Sequence, residues 1–290
     1  MADTLNQLFT GLSIASILLL VSLGLAIIYG TMGVINLAHG EFVMLGAYSV
    51  WFLQTVFGLS LLICVVLAFF MVAGVGWLIE RLIVQHLYKR PLDTMLATWG
   101  VGVILQQSIR LSAGANLRYI KMPDSLTKAV PIFGVDVSAY RIFIFALTVA
   151  LLALTYFLIT RTRYGFRLRA VTQNAEVARC FGINAARVYG LTFAYGAGLA
   201  GVAGALIGPL KSVSPDMGTN VVVDAFMVVV VGGVSSLLGT VASAGLLGEL
   251  SGLLAFLYND TLAKALVFFG VVILIRFRPE GIFAVHVRRG

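Results

Sequence analysis

Apolar runs separated by short polar breaks recur almost from one end of the chain to the other. They occupy residues 12–29, 42–57, 59–79, 95–111, 142–159, 188–207, 221–232, 237–257 and 262–275. A helix crossing the hydrocarbon core of a bilayer needs about 20 mostly apolar residues, and most of the runs approach that length. The pattern predicts an all-α polytopic membrane protein of about nine membrane segments, folded as a single transmembrane domain over residues 1–290. Two runs are too short to span comfortably, and each follows a glycine-bearing polar break. These breaks are GTMGVINLAHGE at 30–41 and GPLKSVSPDMGTN at 208–220. The first has no Lys or Arg, as an exposed loop would usually have, and reads as a broken helix.

The two short runs each stand second in a group of four segments, residues 11–111 and 188–275, with the run at 142–159 left between as a linking span. Alternating crossings make them point in opposite directions. This is the arrangement of an inverted repeat with discontinuous helices, in which solute binds near the membrane midplane. Gly196, Ala200, Gly204 and Gly208 fall four apart, which on a helix makes a smooth ridge for close helix packing.

Composition sharpens the class. With 60% hydrophobic and 11% charged residues and a mean hydropathy of +1.01, the chain has too little polar material to cover a soluble domain. The net charge of +8 does not point to nucleic acid, because the basic residues lie between apolar runs and not on a basic face. They follow the positive-inside rule instead. Residues 80–93 hold three Lys or Arg, residues 161–187 hold six and the tail from Arg276 holds four, 13 of the 20. Nine crossings put all three groups on the cytoplasmic side, with the C-terminus, and put the N-terminus outside. Residues 1–10 lack the basic start of a secretory signal, so the first run reads as a retained span. The loop at 112–140 has mixed charge and suits the outer side.

Ionisable residues at membrane depth are costly and mark candidate solute paths. Asn36, His39 and Glu41 sit at the first break, Asp224 in the second short run, Glu249 inside 237–257, and Gln106 and Gln107 near the end of 95–111. Each has a structural alternative, as a cap or as interhelical glue. Among membrane-depth cations only Arg110 stands out, a balance that leans towards an uncharged solute. The three histidines and the two cysteines, Cys64 and Cys180, make no metal-ligand spacing or disulfide framework. No phosphate-binding loop or nucleophile elbow is present, so the chain is not an enzyme and needs no cofactor of its own. An ATP-powered transporter of this kind would carry its motor on other chains.

The most polar stretch, residues 161–187, has six arginines and one acid. Within it Ala175, Glu176, Val177 and Ala178, then Gly182 and Ile183, resemble the cytoplasmic "EAA, three residues, G" signature of ABC-importer permeases, with Val177 departing from it. A short helix from Ala175 closed by Gly182 in a left-handed cap would form a docking knob. Three longer stretches, residues 24–48, 168–206 and 226–240, resemble the branched-chain amino-acid permease family of ABC importers. Two more, residues 96–116 and 213–233, resemble its urea-transport subunits most. The resemblance implies a permease for urea or a close amide, working by alternating access in a bacterial inner membrane. Its implied partners are a second permease subunit, two cytoplasmic ATPase subunits that bind ATP and magnesium, an extracytoplasmic solute-binding protein, and membrane lipid. A branched-chain amino-acid permease and an ATP-independent channel or secondary transporter remain the alternatives.

Overall fold

The computed structural model describes residues 2–88, 90–132, 135–234 and 236–283. Lys89, His286, Arg288 and Arg289, which enter the charge and histidine counts above, lie outside the described residues. In chain order the elements are α1 (Ala2–Met32), α2 (His39–Phe57), α3 (Leu61–Leu82), α4 (Pro91–Ala113), the one-turn α5 (Asp124–Thr127), strands β1 (Ala129–Ile132) and β2 (Val135–Ser138), and α6 (Ala139–Arg161). There follow α7 (Arg163–Gln173), α8 (Ala175–Cys180), α9 (Ala185–Ile207), α10 (Met217–Gly232), α11 (Leu237–Leu257) and α12 (Asp260–Phe277).

Most of the nine apolar runs become helices that extend past the run's ends, because polar residues finish the helices as caps. Asn184, Ser236 and Asn259 accept backbone N–H bonds from Arg187, Gly239 and Leu262, satisfying donors the first turn leaves free. The loop at 112–140 holds the antiparallel hairpin of β1 and β2, which hydropathy did not signal. Its strands are four residues each, and Pro131 is tolerated because a two-stranded ribbon has only edges.

Among the described residues, five helical stretches are long and apolar enough to cross a membrane: Gln7–Met32, Leu61–His86, Ala139–Arg161, Ala185–Ile207 and Leu237–Leu257. Their directions follow from contacts. Thr10 and Ser16 of α1 meet Arg141 and Thr148 of α6 in the same order, so α1 and α6 are parallel. Tyr140 and Thr155 of α6 meet Leu206 and Tyr195 of α9 in reverse order. Gly76 and Val72 of α3 face Ala197 and Gly201 of α9, and Gly248 and Gly252 of α11 face Ala15 and Gly11 of α1, also in reverse. Thus α1, α3 and α6 run one way, α9 and α11 the other. The chain must return through α2, α4 and α10 to connect them.

Two crossings near the centre of the bundle are built on paired glycines. At the α1–α9 crossing a Cβ added to Gly24 would press on the Gly196 carbonyl, and one added to Gly196 would lie 2.7 Å from the Gly24 carbonyl oxygen. At the α2–α10 crossing a Cβ on Gly40 would press on the Gly218 carbonyl, and one on Gly218 would lie 2.6 Å from the Gly40 carbonyl oxygen. Partners also exchange: α3 packs along α9 as α11 packs along α1, and α2 meets α3 as α10 meets α11. α1 and α9 are buried over most of their length. Outside them, Phe70, Trp99, Phe157 and Phe269 are exposed on four different helices, an apolar belt that water would not tolerate but lipid accepts.

The glycine ridge of α9 is used as its spacing suggests. A Cβ on Gly204 would collide with the Val43 carbonyl of α2, whereas Gly74 of α3 has open space. Gly204→Leu is predicted to lower stability by at least about 2 kcal/mol through overpacking, and Gly74→Leu to leave it within about 0.5 kcal/mol. Thermal melting of the detergent-solubilised protein checks both, and equal losses would contradict the crossing.

Candidate solute path and docking segment

The first break starts where α1 closes. Gly33 adopts φ 65° and donates its N–H to the Tyr29 carbonyl at 2.8 Å, a left-handed cap that favours glycine. Residues 33–38 then fold back along α1. Their return is measured by His39, whose Nε2 donates to the Val21 carbonyl at 3.0 Å, about 16 Å of helix before Met32. α2 therefore begins beside the middle of α1. Along the break the Asn36 side-chain oxygen accepts the Ala38 N–H at 3.1 Å, and the Leu37 N–H donates to Thr98 Oγ1 of α4 at 3.1 Å.

Polar atoms left over from this arrangement concentrate on one stretch. Asn36 Nδ2, His39 Nδ1, Glu41 Oε2 and the Tyr48 hydroxyl are buried and have no hydrogen-bond partner among the described residues. Each such group costs about 1–3 kcal/mol, and four fall within 13 consecutive positions. Glu41 is 8% exposed and stands in the first turn of α2. Glycines flank it on two helices: a Cβ on Gly218 of α10 would strike its Oε2, and one on Gly102 of α4 would lie 3.6 Å from its Cγ.

α4 faces this group with residues four apart, one stripe of a helix. Thr98 holds the break, Gly102 adjoins Glu41, and Gln106 and Arg110 reach the residue preceding α10. Gln106 Nε2 donates to Asp216 Oδ1 at 2.9 Å, and the Arg110 guanidinium pairs with the same carboxylate. Beyond them Arg118 lies over the Trp51 ring at 4.7 Å and its backbone pairs with Val213. The Gln54 amide bonds both the N–H and the carbonyl of Lys121 at 3.0 Å. These contacts close one end of the bundle over the stripe.

Of the seven residues singled out in the sequence, Asn36, His39 and Glu41 come together and Gln106 reaches Asp216; Gln107, Asp224 and Glu249 do not join them. Gln107 is exposed, and its neighbour Gln106 makes the contact instead. Asp224 forms an ion pair with Lys264 of α12 at 3.1 Å. Glu249 packs beside Gly11 of α1, about 20 Å along that helix from Gly24. Lys264 and Asp216 were missed because each is a lone charge beside a helix start, where hydropathy reads only an end. Lys264 also corrects the view that Arg110 is the sole cation at depth. Among the described residues no group of three or more His, Cys, Asp or Glu is placed to hold a metal.

The segment that carries the signature forms the short helix with a glycine cap that the sequence suggests. Asn174 caps α8 by accepting from the Glu176 and Val177 N–H groups at 3.0 Å each. At its far end Gly182, φ 78°, donates to the Arg179 carbonyl and Ile183 to the Ala178 carbonyl, the paired bonds of a Schellman motif. Ala178 and Ile183 join Leu168, Val171 and Val188 in a small apolar cluster beneath, while Val177 and Phe181 are exposed, Phe181 by 82%. The segment leads directly into α9. There Tyr189 stacks edge-on against Tyr88 at 4.9 Å, and the Tyr88 hydroxyl donates to the buried Glu80 carboxylate of α3. Burial, then that bond to Glu80, pushes the Tyr88 phenol far above its usual range, so it stays a donor.

Comparison with known proteins gives one consistent answer. Residues 7–276 match the family described as branched-chain amino acid transport system / permease component. The chain is 32% identical to the high-affinity branched-chain amino acid transport system permease protein BraD of Pseudomonas aeruginosa, covering 96% of this chain and 95% of that one. It is 31% identical to the corresponding LivH protein of Escherichia coli, over 96% and 94%. A probable LivH of Methanocaldococcus jannaschii is 27% identical over 89% and 84%. No solved structure matches.

Thr98→Val keeps the shape of the side chain but removes the acceptor for the Leu37 N–H. It is predicted to cost about 1–3 kcal/mol, read as a lower melting temperature of the purified protein. No change would show that the break is not held by α4.

Proposed function

The chain belongs to the branched-chain amino-acid permease family of ABC transporters, and from that premise we propose that it is the permease subunit of an ATP-driven importer carrying branched-chain amino acids inward. The observation that carries the reading is the set of unpartnered polar atoms on Asn36, His39, Glu41 and Tyr48. They lie where a broken helix begins beside the middle of α1, the place where discontinuous helices bind solute in transporters.

The helix directions are compatible with a topology in which α2, α4, α10 and α12 complete nine crossings of the bacterial inner membrane, with the basic segments at 80–93, 161–187 and 276–278 in the cytoplasm and the N-terminus outside. Paired glycine crossings and exchanged helix partners support an inverted repeat relating residues 11–111 to 188–275, with α6 as the link. A binding protein would deliver solute to the outer end, where Arg118, Trp51 and Gln54 pack. Two ATPase subunits would grip α8, and their closure on ATP would move α9 and, through Tyr189, Tyr88 and Glu80, also α3. A second permease subunit completes the pathway, and the exposed apolar belt faces it and lipid. ATP hydrolysis belongs to the partners, and the chain itself does no chemistry.

The substrate reading changes from the one the sequence favoured. Urea was suggested by residues 96–116 and 213–233, which fold as α4 and the approach to α10 together with that helix. They hold Arg110 and Asp216, fixed opposite charges that a neutral amide does not need. The relatives named above are branched-chain amino acid permeases, and Lys264 removes the argument from a shortage of cations. Reconstitution of the complex with its ATPases and binding protein in liposomes decides the matter. Labelled leucine is predicted to accumulate with ATP, and urea not; urea uptake without leucine uptake would overturn the assignment.

Coupling has its own test. Gly182→Val blocks the positive φ of the cap and is predicted to reduce copurifying ATPase by about tenfold, an effect of roughly 1.4 kcal/mol, while the chain still inserts in the membrane. Unchanged ATPase association would contradict the docking role of α8.

A further inference from the structure

One of the charges around the break, Glu41, has no partner, whereas Asp216 is paired with Arg110. Glu41 and Asp216 contribute two carboxylates, Glu41 Oε2 lying against Gly218, two residues after Asp216, while Arg110 contributes one guanidinium. The nearest other cations are engaged: Lys264 pairs with Asp224, and Arg118 lies over Trp51. A buried carboxylate without a partner is costly, and Glu41 Oε2 is buried and unpartnered. Arg110 has five N–H donors and its side chain is 36% exposed, so it retains donors beyond its bond to Asp216. A positive group beside Glu41 and a negative group on Arg110 would complete the set.

We infer that Glu41, Asp216 and Arg110 form a binding site for a free amino-acid zwitterion, with the α-ammonium between Glu41 and Asp216 and the α-carboxylate on Arg110. The inference rests on the amino-acid reading above and specifies its chemistry. Charge-assisted bonds of this kind are the stronger ones, and guanidinium meets carboxylate through two parallel bonds. Gly218 leaves room for the Glu41 carboxylate itself, since a side chain at Gly218 would occupy the position of Oε2. Gln106, bonded to Asp216 and to the Pro215 carbonyl, holds that carboxylate toward α4. The Arg110–Asp216 pair then has two states, closed on itself in the empty protein and opened around the zwitterion when loaded. A neutral amide supplies no cation and would leave Glu41 without a charge partner.

The test uses the full complex in liposomes with its ATPases and binding protein. Glu41→Gln and Arg110→Gln are each predicted to cut the initial rate of leucine uptake at least tenfold, as for loss of one member of a charge pair. A double exchange, Arg110→Asp with Asp216→Arg, restores an ion pair but reverses its charges, and is predicted not to restore uptake. Gly102→Ala adds a methyl group near Glu41 without touching a charge and is predicted to raise KM for leucine with little change in kcat, which supplies the answer if Glu41→Gln fails to assemble. Leucine uptake within about twofold of wild type in both charge variants, or full rescue by the double exchange, would overturn the zwitterion site and leave the importer assignment standing. Wild-type uptake of urea alone would overturn both.

Discussion

Close backbone approach at glycine is the constraint on which the rest of this structure depends. α1 meets α9 at Gly24 and Gly196, and α2 meets α10 at Gly40 and Gly218, each glycine leaving room for the carbonyl of the other. Lipid tails are as apolar as leucine, so helices in a membrane gain little from burying hydrophobic surface and associate through packing and hydrogen bonds. Small residues at the crossings are what permit that packing. They also decide where polar groups can go, because α2 and α10 both begin at their mutual crossing, and Glu41 occupies the space that a side chain at Gly218 would take.

From that crossing the function extends in two directions. Toward one end of the bundle the stripe of Thr98, Gly102, Gln106 and Arg110 joins α4 to the break and to Asp216, under a cap made by Arg118, Trp51 and Gln54. Toward the other, α9 leads from the glycine crossing to Tyr189 and then to the Schellman-capped α8. Thus the helix that follows α8 is the same helix that packs on Gly24, Val43 and Val72, and under the proposed docking role a movement of α8 would reach the centre through α9.

Much of this was legible in the sequence, for identifiable reasons. Apolar runs located the long helices because length and hydropathy are local properties, and the polar breaks at 30–41 and 208–220 located the two helix starts that meet. Ala175 to Ile183 was readable because capping chemistry is local too. What escaped were relations across the fold. Asp216 and Arg110 lie 106 positions apart, and nothing local ties them. Gln107 and Gln106 are indistinguishable until the helix face is known. Asp224 and Glu249 looked like path residues because charge at depth is rare, yet one is paired with Lys264 and the other lies far along α1. The urea reading rested on the resemblance of residues 96–116 and 213–233, and the relatives, which are branched-chain amino acid permeases, do not support it.

The central claim is that the α2–α10 crossing separates two compartments and that ATP moves the opening from one side of it to the other. Reactive cysteines test this most directly, with Cys64 and Cys180 replaced by serine and single cysteines placed at Tyr48, on the capped side, or at Asn36, in the break. In the complete transporter a membrane-impermeant thiol reagent is applied from either side, with and without trapped ATP. The account predicts that Tyr48→Cys reacts from outside in one nucleotide state only, and that Asn36→Cys reacts from the cytoplasm only in the other. Reaction of both positions from the same side, unchanged by nucleotide, would contradict it.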